Sequence, residues 1–355
     1  MGKVVTFFGP KNVGITEYED RKIQPNEVRL KTLFSGISAG TELTHYRGSN
    51  VYLHKFWKDT DRLFLTSDGA TSKTYPIYGS GYEECGEIVE LGSAITKVKT
   101  GDIVYGTWQH RTHHIVSEDY AANRLIPAGL DPILGIFSQM TAIAYNGILD
   151  AGIRLGETVA VFGLGVPGLM CAQMAKRSGA SVIGIDMIPA RLELSKKQDW
   201  IDMALDAREG QTAEMIKEMT NHKGVDVAFE VSGSYAALHE AIRSVVYSGK
   251  VISQGFYQGG GQSLSLGEEF HHNRITIICS QISGVSPELT NRWNVERMVR
   301  RGIELQAEGV LNFKPLITHR FPLEQVAKAY ELLDEHSDQA LQVVIDFTQE
   351  RGEHD

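Results

Sequence analysis

One stretch of this chain, residues 158–186, constrains the fold more than any other. Four apolar residues with high strand propensity, Val159 to Phe162, run directly into Gly163-Leu164-Gly165-Val166-Pro167-Gly168. This order predicts a buried parallel strand, a tight turn and a helix. In such a turn the first glycine makes the sharp bend, the second lets a pyrophosphate approach the backbone, and the third lets the helix pack closely on the strand.

The residues of this turn also predict how a phosphate would be held. Pro167 suits the first turn of the helix, because the N–H that it lacks would have no partner within the helix. The remaining N–H groups, that of Val166 included, and the helix dipole would then bind the anion. The sequence therefore predicts a phosphate site at the start of this helix.

A second apolar strand follows and ends in an acid, Asp186. A carboxylate at this place accepts hydrogen bonds from ribose hydroxyls and repels a 2′-phosphate, which favours NAD over NADP. Arg191 is the residue that could instead meet a 2′-phosphate. A glycine-rich turn without a nucleotide is the alternative, but the order of strand, glycines, helix, strand and acid argues against it. We expect a nicotinamide dinucleotide as cofactor, NAD rather than NADP.

The composition narrows the class of protein. A chain of 355 residues is long enough for two domains, and 42% hydrophobic with 22% charged residues is typical of a soluble globular protein. A net charge of −9 argues against nucleic acid or an anionic membrane as the main partner. Three scattered cysteines are too few for a disulfide framework or a four-cysteine zinc lobe. We expect a cytoplasmic protein, without a membrane-spanning segment, that acts on a small molecule.

The pattern of secondary structure changes along the chain. Residues 1–128 alternate short strands with turns and show little helical periodicity, which predicts a β-rich domain. Residues 129–289 alternate strands with helices, which predicts an α/β domain with a doubly wound parallel sheet. Residues 290–355 carry two helical patterns and two strands. We expect the last strand, Gln342 to Phe347, to return to the β-rich domain.

Several motifs outside the glycine turn point to one family. They are Ser35-Gly36-Ile37-Ser38-Ala39-Gly40-Thr41-Glu42-Leu43, Gly81-Tyr82-Glu83, Leu91-Gly92, Gly101-Asp102, Gly224-Val225-Asp226 and Ile317 to Leu323. Together with the nucleotide fingerprint, they resemble the medium-chain dehydrogenase/reductases, the zinc-alcohol-dehydrogenase superfamily. The resemblance covers nearly the whole chain and implies a Rossmann domain and a β-rich GroES-like catalytic domain. Relatives join the edges of their parallel sheets, so we expect a homodimer or homotetramer formed through the strand Arg274 to Ser280.

The same resemblance indicates where zinc-dependent members hold their metal. They carry a cysteine just before the Thr-Asp/Glu segment and a histidine before the glutamate of a Gly-His-Glu motif. Here Ser38 and Tyr82 occupy these places, and Gln139 lies near the position of a further acidic ligand in polyol dehydrogenases. Only Glu83 remains of that ligand set, and hydroxyl and phenol groups are poor zinc ligands. We therefore expect no catalytic zinc, and this version of the motifs resembles the bacteriochlorophyllide hydroxyethyl dehydrogenase branch as well as zinc-less relatives of sugar and polyol dehydrogenases.

Histidines elsewhere leave a replacement metal site open. His110, His113 and His114 lie close together in the sequence, just where the cysteine lobe would begin. The alternative is that a strand and the loop before it place some of them on a solvated face. The pair His271-His272 is a weaker candidate of the same kind.

Without a metal, polar side chains must stabilise the alkoxide that forms as a hydride leaves. Tyr82 would be protonated at neutral pH and could donate a hydrogen bond to the substrate oxygen. Glu83 could accept the proton or hold Tyr82 in place, Ser38 lies in the same motif set, and Thr41 matches a hydroxyl of the family's proton relay. The alternatives are a packed aromatic at position 82 and a structural carboxylate at position 83. Glu42 is a candidate of second rank.

The connection from Tyr46 to Tyr75 is longer than is usual in the family and interleaves aromatic with basic residues. Such a loop could close over the pocket, and we expect Trp57, Trp108 and Gln139 to contact substrate. A surface excursion with its own small core is the alternative. The expected reaction is NAD-dependent oxidation of a secondary alcohol on a sugar, cyclitol or other polyol, or the reverse ketone reduction. A zinc-less quinone or enoyl reductase and a dinucleotide-binding protein without turnover are the competing interpretations.

Overall fold

The computed structural model describes residues 1–66 and 70–349. The chain divides into two compact units, which are described one at a time. The first, here called the catalytic unit, comprises Met1–Gln139 and Lys314–Asp355, and the second, the nucleotide unit, comprises Met140–Phe313.

Strands and helices are numbered here in chain order. The strands are β1 (Gly2–Gly9), β2 (Asn12–Tyr18), β3 (Glu27–Ile37), β4 (Phe56–Lys58), β5 (Leu63–Leu65), β6 (Ile77–Tyr78), β7 (Glu84–Leu91), β8 (Ile103–Gly106), β9 (His113–Ser117), β10 (Thr158–Phe162), β11 (Ser181–Asp186), β12 (Met203–Asp206), β13 (Val225–Glu230), β14 (Val245–Ser253), β15 (Thr276–Cys279), β16 (Ile317–Pro322) and β17 (Gln342–Asp346). The α-helices are α1 (Glu42–Arg47), α2 (Glu118–Ala122), α3 (Ser138–Ala151), α4 (Val166–Arg177), α5 (Pro189–Lys197), α6 (Thr212–Met219), α7 (Tyr235–Ser244), α8 (Val295–Ala307) and α9 (Val326–Glu335).

The nucleotide unit is built on one six-stranded sheet with the order β12-β11-β10-β13-β14-β15. Every neighbouring pair in it is parallel. The strand order reverses at β10, and in open parallel sheets ligands bind outside the carboxyl ends of the strands at such a switch point. The glycine turn follows β10 directly. The predicted doubly wound sheet is confirmed, and β15 lies at its edge as expected.

The catalytic unit contains a six-stranded sheet in which β16, β17, β3, β7 and β8 follow one another and β9 also pairs with β3. The C-terminal strand β17 pairs antiparallel with β3, with Val344 opposite Gly36, so it returns to the β-rich domain as predicted. A second sheet has the order β2-β1-β6. Apolar residues of β1, β17 and α9 form one core, in which Tyr330 is fully buried.

Both boundaries of the expected nucleotide domain, 129 and 289, differ from those that the contacts define. Residues 132–137 form a 3₁₀ helix that packs on the catalytic sheet, where a Cβ on Gly135 would lie 3.0 Å from Cβ of Cys85. The first boundary therefore moves to 139/140. Helix α8 packs on α3 so closely that a Cβ on Gly302 would lie 2.3 Å from Cγ2 of Thr141, which moves the second boundary to 313/314.

Helix α3 is a large element that the sequence patterns did not predict. Together with the preceding 3₁₀ helix it forms a run, Pro132–Ala151, of 20 residues that by length and composition alone is apolar enough to cross a membrane. In the structure 67% of the apolar 18-residue window within this segment is buried, as in the core helix of a globular protein.

Candidate active site

The glycine turn of the nucleotide unit has the geometry that its sequence predicts. Gly163 adopts a φ of +91°, which other residues rarely adopt. A Cβ on Gly168 would lie 1.8 Å from the carbonyl oxygen of Gly163, so only glycine lets α4 begin this close to the strand. A Cβ on Gly165 would meet nothing nearer than Arg191 Nη1 at 3.9 Å. The space over Gly165 is therefore open to a phosphate.

Asp186 ends β11 beside this turn and is 8% exposed. Its Oδ2 accepts a hydrogen bond from the N–H of Leu164 at 2.6 Å, and its Oδ1 accepts one from the N–H of Ile188 at 2.8 Å. Arg191 Nη1 lies 3.6 Å from Asp186 Oδ2. Each carboxylate oxygen has a second lone pair, so the group can still accept bonds from a ribose diol.

In the catalytic unit, three hydroxyl groups meet where β3 ends and the neighbouring strand β7 begins. Ser38 directly follows β3, Thr41 immediately precedes α1, and Tyr82 lies two residues before β7. Because β3 and β7 are paired, their ends bring these residues together. Tyr82 Oη lies 2.5 Å from Ser38 Oγ and donates to Thr41 Oγ1 at 3.4 Å. We call these three residues the hydroxyl cluster.

The environment of Tyr82 fixes its ionisation state. Burial raises the pKa of the phenol above 10.0, and a negative charge on Glu83 would raise it further, while the bonds with Ser38 and Thr41 oppose the rise. The phenol is therefore protonated at neutral pH, as predicted from its residue type. It can donate a hydrogen bond to a substrate oxygen and cannot act there as a base.

Glu83 is fully buried, and within the described ranges neither of its carboxyl oxygens meets strict hydrogen-bond geometry, although the Gln342 amide lies close enough to interact with the group. A Cβ on Gly36 would lie 2.5 Å from Glu83 Oε2, so the glycine makes room for this group. Burial raises the pKa of Glu83 well above 4.5, the charge of Glu42 adds to the rise, and the Gln342 amide opposes it. A carboxyl group favoured in its neutral form is a poor proton acceptor. The expectation that Glu83 holds Tyr82 in place is replaced, because Tyr82 bonds to Ser38 and Thr41.

A second polar group, here called the Glu42–His110 network, lies buried in the same unit. His110 Nε2 is 2.7 Å from Glu42 Oε2, and His110 Nδ1 is 2.6 Å from Ser35 Oγ. Ser35 Oγ lies 2.9 Å from Glu84 Oε1, and Tyr330 Oη donates to Glu42 Oε2 at 2.6 Å. All five side chains are at most 1% exposed.

The two acids of this network have opposite pKa shifts. Burial would raise the pKa of Glu42, but the charge of His110 and the bonds from His110, Tyr330 and the Ser38 N–H outweigh it and lower the pKa. Burial raises the pKa of Glu84 well above 4.5 despite the bonds from Trp108 and Ser35. One buried acid is therefore an anion with several donors, and the other is favoured in its neutral form.

The residues at the family's metal position do not fit a zinc ion. Zinc sites need at least three donors from thiolate, imidazole or carboxylate groups. Ser38 and Tyr82 offer hydroxyl groups that bond to each other, and burial keeps the phenol protonated. Glu83 is the remaining donor of a type that zinc prefers, one where at least three are needed. Both ring nitrogens of His110 are already occupied by Ser35 and Glu42.

The neighbouring histidines do not gather into a replacement site. His113 Nδ1 lies 3.5 Å from Asp20 Oδ2, and the ring of His114 stacks on Trp108 with centroids 5.6 Å apart. Over residues 1–66 and 70–349, the one group of three possible metal ligands is found in the nucleotide unit: His239, Glu268 and Glu269. Glu269 there already pairs with Arg243 at 3.2 Å, and a guanidinium competes with a cation for the same oxygens.

The three expected substrate residues have different environments. Trp108 is 4% exposed in a core cluster, and its Nε1 donates to Thr32 Oγ1 at 3.0 Å, so it is a packing residue and the expected substrate contact is wrong. Trp57 lies in the β4–β5 hairpin, with its ring 4.8 Å from that of Phe64. Residues 67–69 of this long connection lie outside the described residues. Gln139 is half-buried in the first turn of α3. Roles for Trp57 and Gln139 stay predictions.

Sequence reasoning ranked Glu42 second, considered His110 only as a metal ligand, and missed Glu84. The sequence does contain a signal for the burial of an acid near Glu84. Glu83 and Glu84 are consecutive acids at the start of a strand whose next residues are apolar, and alternate side chains of a strand point to opposite faces. At least one acid had to be buried, and a buried acid needs hydrogen-bond partners or a proton.

Comparisons with known proteins agree with this fold. A family model described as "Zinc-binding dehydrogenase" matches residues 167–298. D-guloside 3-dehydrogenase of Escherichia coli K12 is 28% identical over 344 residues, which cover 95% of this chain and 98% of that protein. Sorbitol dehydrogenase of Bacillus subtilis 168 is 29% identical over 353 residues, which cover 91% of each chain.

A solved structure, an alcohol dehydrogenase of Escherichia coli CFT073 complexed with NADH, matches with a TM-score of 0.76 at 20% identity. The match covers 98% of this chain and 99% of that one. It confirms the predicted fold class, a Rossmann sheet and a β-rich GroES-like domain.

Proposed function

We propose the following reaction for this chain, an oxidoreductase that acts on alcohols and resembles the medium-chain dehydrogenase/reductases. The protein transfers a hydride between NAD and a secondary alcohol of a sugar, cyclitol or other polyol, and it does so without catalytic zinc. The observation that carries this proposal is the hydroxyl cluster of Ser38, Thr41 and Tyr82, which occupies the place of the metal ligands and contains a phenol that is protonated at neutral pH.

In ketone reduction, Tyr82 donates its proton to the carbonyl oxygen as the negative charge develops there. The bound dinucleotide supplies the hydride. Ser38 and Thr41 stabilise the phenolate that remains, because both hydroxyls can turn to donate to it. In alcohol oxidation the phenolate must take up the proton of the alcohol, and the raised pKa makes that form scarce at neutral pH. The cluster therefore favours reduction near neutrality.

Asp186 supports NAD as the cofactor. Its two bonds from main-chain N–H groups hold the carboxylate beside the turn, where its charge would repel a 2′-phosphate. Arg191, the residue that could have favoured NADP, is 3.6 Å from the same carboxylate and faces the open space over Gly165. A guanidinium at this place is suited to the pyrophosphate of either cofactor.

The variant Tyr82→Phe tests the catalytic part of the proposal. We expect kcat to fall by about 10² to 10³-fold, the scale for loss of one oxyanion donor, with an unchanged Kd for NADH. Tyr18→Phe is the matched control, because it removes a phenol that donates to the carbonyl of His113 at 2.8 Å in the same unit but outside the cluster. An unchanged kcat in Tyr82→Phe contradicts the role of the phenol.

Metal content tests the absence of catalytic zinc, and a panel of substrates tests the proposed substrate class. Protein purified without chelator should contain far less than one equivalent of zinc, and its activity should survive chelation. Activity that is lost with a bound zinc ion contradicts the proposal. Polyols with NAD should be turned over, whereas reduction of quinones or enones by NADPH alone would favour the zinc-less reductase interpretation.

A further inference from the structure

The Glu42–His110 network takes no part in the proposed reaction, although it buries an anion, a neutral acid and an imidazole in one unit. Burying such groups is costly unless each is hydrogen-bonded. Apolar side chains of similar volume would often be at least as stable in such a place. We therefore expect the network to have a role other than stabilising the fold.

The hydrogen bonds of His110 are consistent in either of two proton arrangements. If Ser35 donates to Glu84, both nitrogens of His110 must donate, and the ring is charged. If Glu84 keeps its proton and donates to Ser35, then Ser35 donates to His110 Nδ1 and the ring is neutral. Both arrangements contain the same number of protons. In each of them Nε2–H donates to Glu42, which remains an ionised acceptor.

The network contacts the main chain on both sides of the hydroxyl cluster. Glu42 Oε1 accepts a hydrogen bond from the N–H of Ser38 at 2.8 Å. On the other side, the N–H of His110 donates to the carbonyl of Ser80 at 2.7 Å. A Cβ on Gly81 would lie 2.7 Å from His110 Nδ1 and 2.8 Å from Glu84 Oε1, so the network packs directly against the residue that precedes Tyr82.

We propose that His110 and Glu42 are positioning residues that hold Ser38 and Tyr82 at hydrogen-bonding distance. This inference rests on the proposed function of the hydroxyl cluster. Tyr82 Oη and Ser38 Oγ are 2.5 Å apart and belong to segments 44 residues apart in sequence, so their distance depends on what fixes both segments. Glu42 fixes the segment of Ser38, and His110 joins Glu42 to the segment of Tyr82. A shift of about 1 Å in such a contact can cost about 10²-fold in rate.

Two substitutions at His110 separate positioning from packing. The amide of His110→Gln reaches the place of Nε2 and keeps a donor for Glu42, whereas the shorter amide of His110→Asn reaches only the place of Nδ1. We expect kcat to fall by about 10²-fold in His110→Asn and much less in His110→Gln, with KM and the Kd for NADH little changed. His113→Asn is the matched control, a half-exposed histidine of the same segment.

A double-mutant cycle and amide exchange complete the test. In a Tyr82→Phe background, His110→Asn should lower kcat by less than about threefold, because the contact that it serves is already gone. Hydrogen–deuterium exchange at the Ser38 amide should be faster in His110→Asn and unchanged in His113→Asn. If His110→Asn fails to fold, Glu42→Gln takes its place, since it keeps the shape of the acid and removes its charge.

The outcomes distinguish this inference from the proposed function. If Tyr82→Phe retains full kcat, the proposed function is wrong, and the exchange rate at Ser38 alone decides whether the network positions that segment. If Tyr82→Phe lowers kcat but the two substitutions act additively, the positioning role is overturned and the proposed function stands. Unchanged exchange at Ser38 also overturns it.

Discussion

The buried carboxyl group of Glu83 makes the stability of the catalytic unit depend on pH in a predictable direction. Its pKa in the folded protein is raised well above 4.5 by burial and by the charge of Glu42. The folded state therefore keeps a proton that the unfolded state releases once the pH exceeds 4.5. Under that condition the free energy of unfolding decreases as the pH rises.

The size of this effect follows from proton counting. One proton released on unfolding changes the free energy of unfolding by about 1.4 kcal/mol for each pH unit. Between about pH 5.5 and about pH 7.5, Glu83 should therefore lower the free energy of unfolding by at most about 3 kcal/mol, the limit reached when the folded state keeps the proton throughout. Glu83→Gln removes this slope. The buried amide has its own cost of about 1 to 3 kcal/mol, but that cost is the same at every pH.

The measurement is denaturant unfolding across this pH range, followed by tryptophan fluorescence. Replacing Trp200 and Trp293 by phenylalanine leaves Trp57 and Trp108 as reporters of the catalytic unit, because the chain has four tryptophans. Glu27→Gln is the control. Arg21 lowers the pKa of Glu27 to about 2, so the contribution of Glu27 to the free energy of unfolding is lost only as the pH falls from 4.5 through that value. Equal slopes in the unmodified protein and Glu83→Gln would show that Glu83 is ionised when folded, and would refute the reasoning.

Three further outcomes are expected. Asp186→Ser should narrow the preference for NAD over NADP by about 1 to 3 kcal/mol in fluorescence titrations, and equal affinity of the unmodified protein for both cofactors would contradict the role of Asp186. The rate of alcohol oxidation should rise with pH above neutrality, because the pKa of Tyr82 is raised and only the phenolate accepts a proton, and this rise should vanish in Tyr82→Phe. Light scattering at micromolar concentration should give the mass of a dimer or tetramer, since β15 leaves the edge of the parallel sheet open for pairing; a monomer counts against that assembly.

The nucleotide turn could be predicted residue by residue because its determinants are local. A strand, three glycines and a helix lie within a dozen or so positions, and the tightest approach, that of Gly168 to the carbonyl oxygen of Gly163, is made inside that segment. Trp108 was misplaced for the opposite reason. Its sequence neighbours indicate a loop near the catalytic motifs, but its environment is made by Thr32 and the apolar residues of β3 and β7, which lie far away in the sequence. Local patterns carry no information on such packing.

The acids around the hydroxyl cluster show how the catalytic unit accommodates buried charge that the sequence patterns did not reveal. Glu42, Glu83 and Glu84 are all buried within one unit. Three buried anions without a cation would repel one another strongly. The protein avoids this by favouring the neutral forms of Glu83 and Glu84 and by surrounding Glu42 with donors from His110, Tyr330 and the Ser38 N–H. Glu42 is thus the single ionised acid of the three, and it is also the one that contacts the segment of Ser38. The geometry of the hydroxyl cluster therefore depends on which of the buried acids carries the charge.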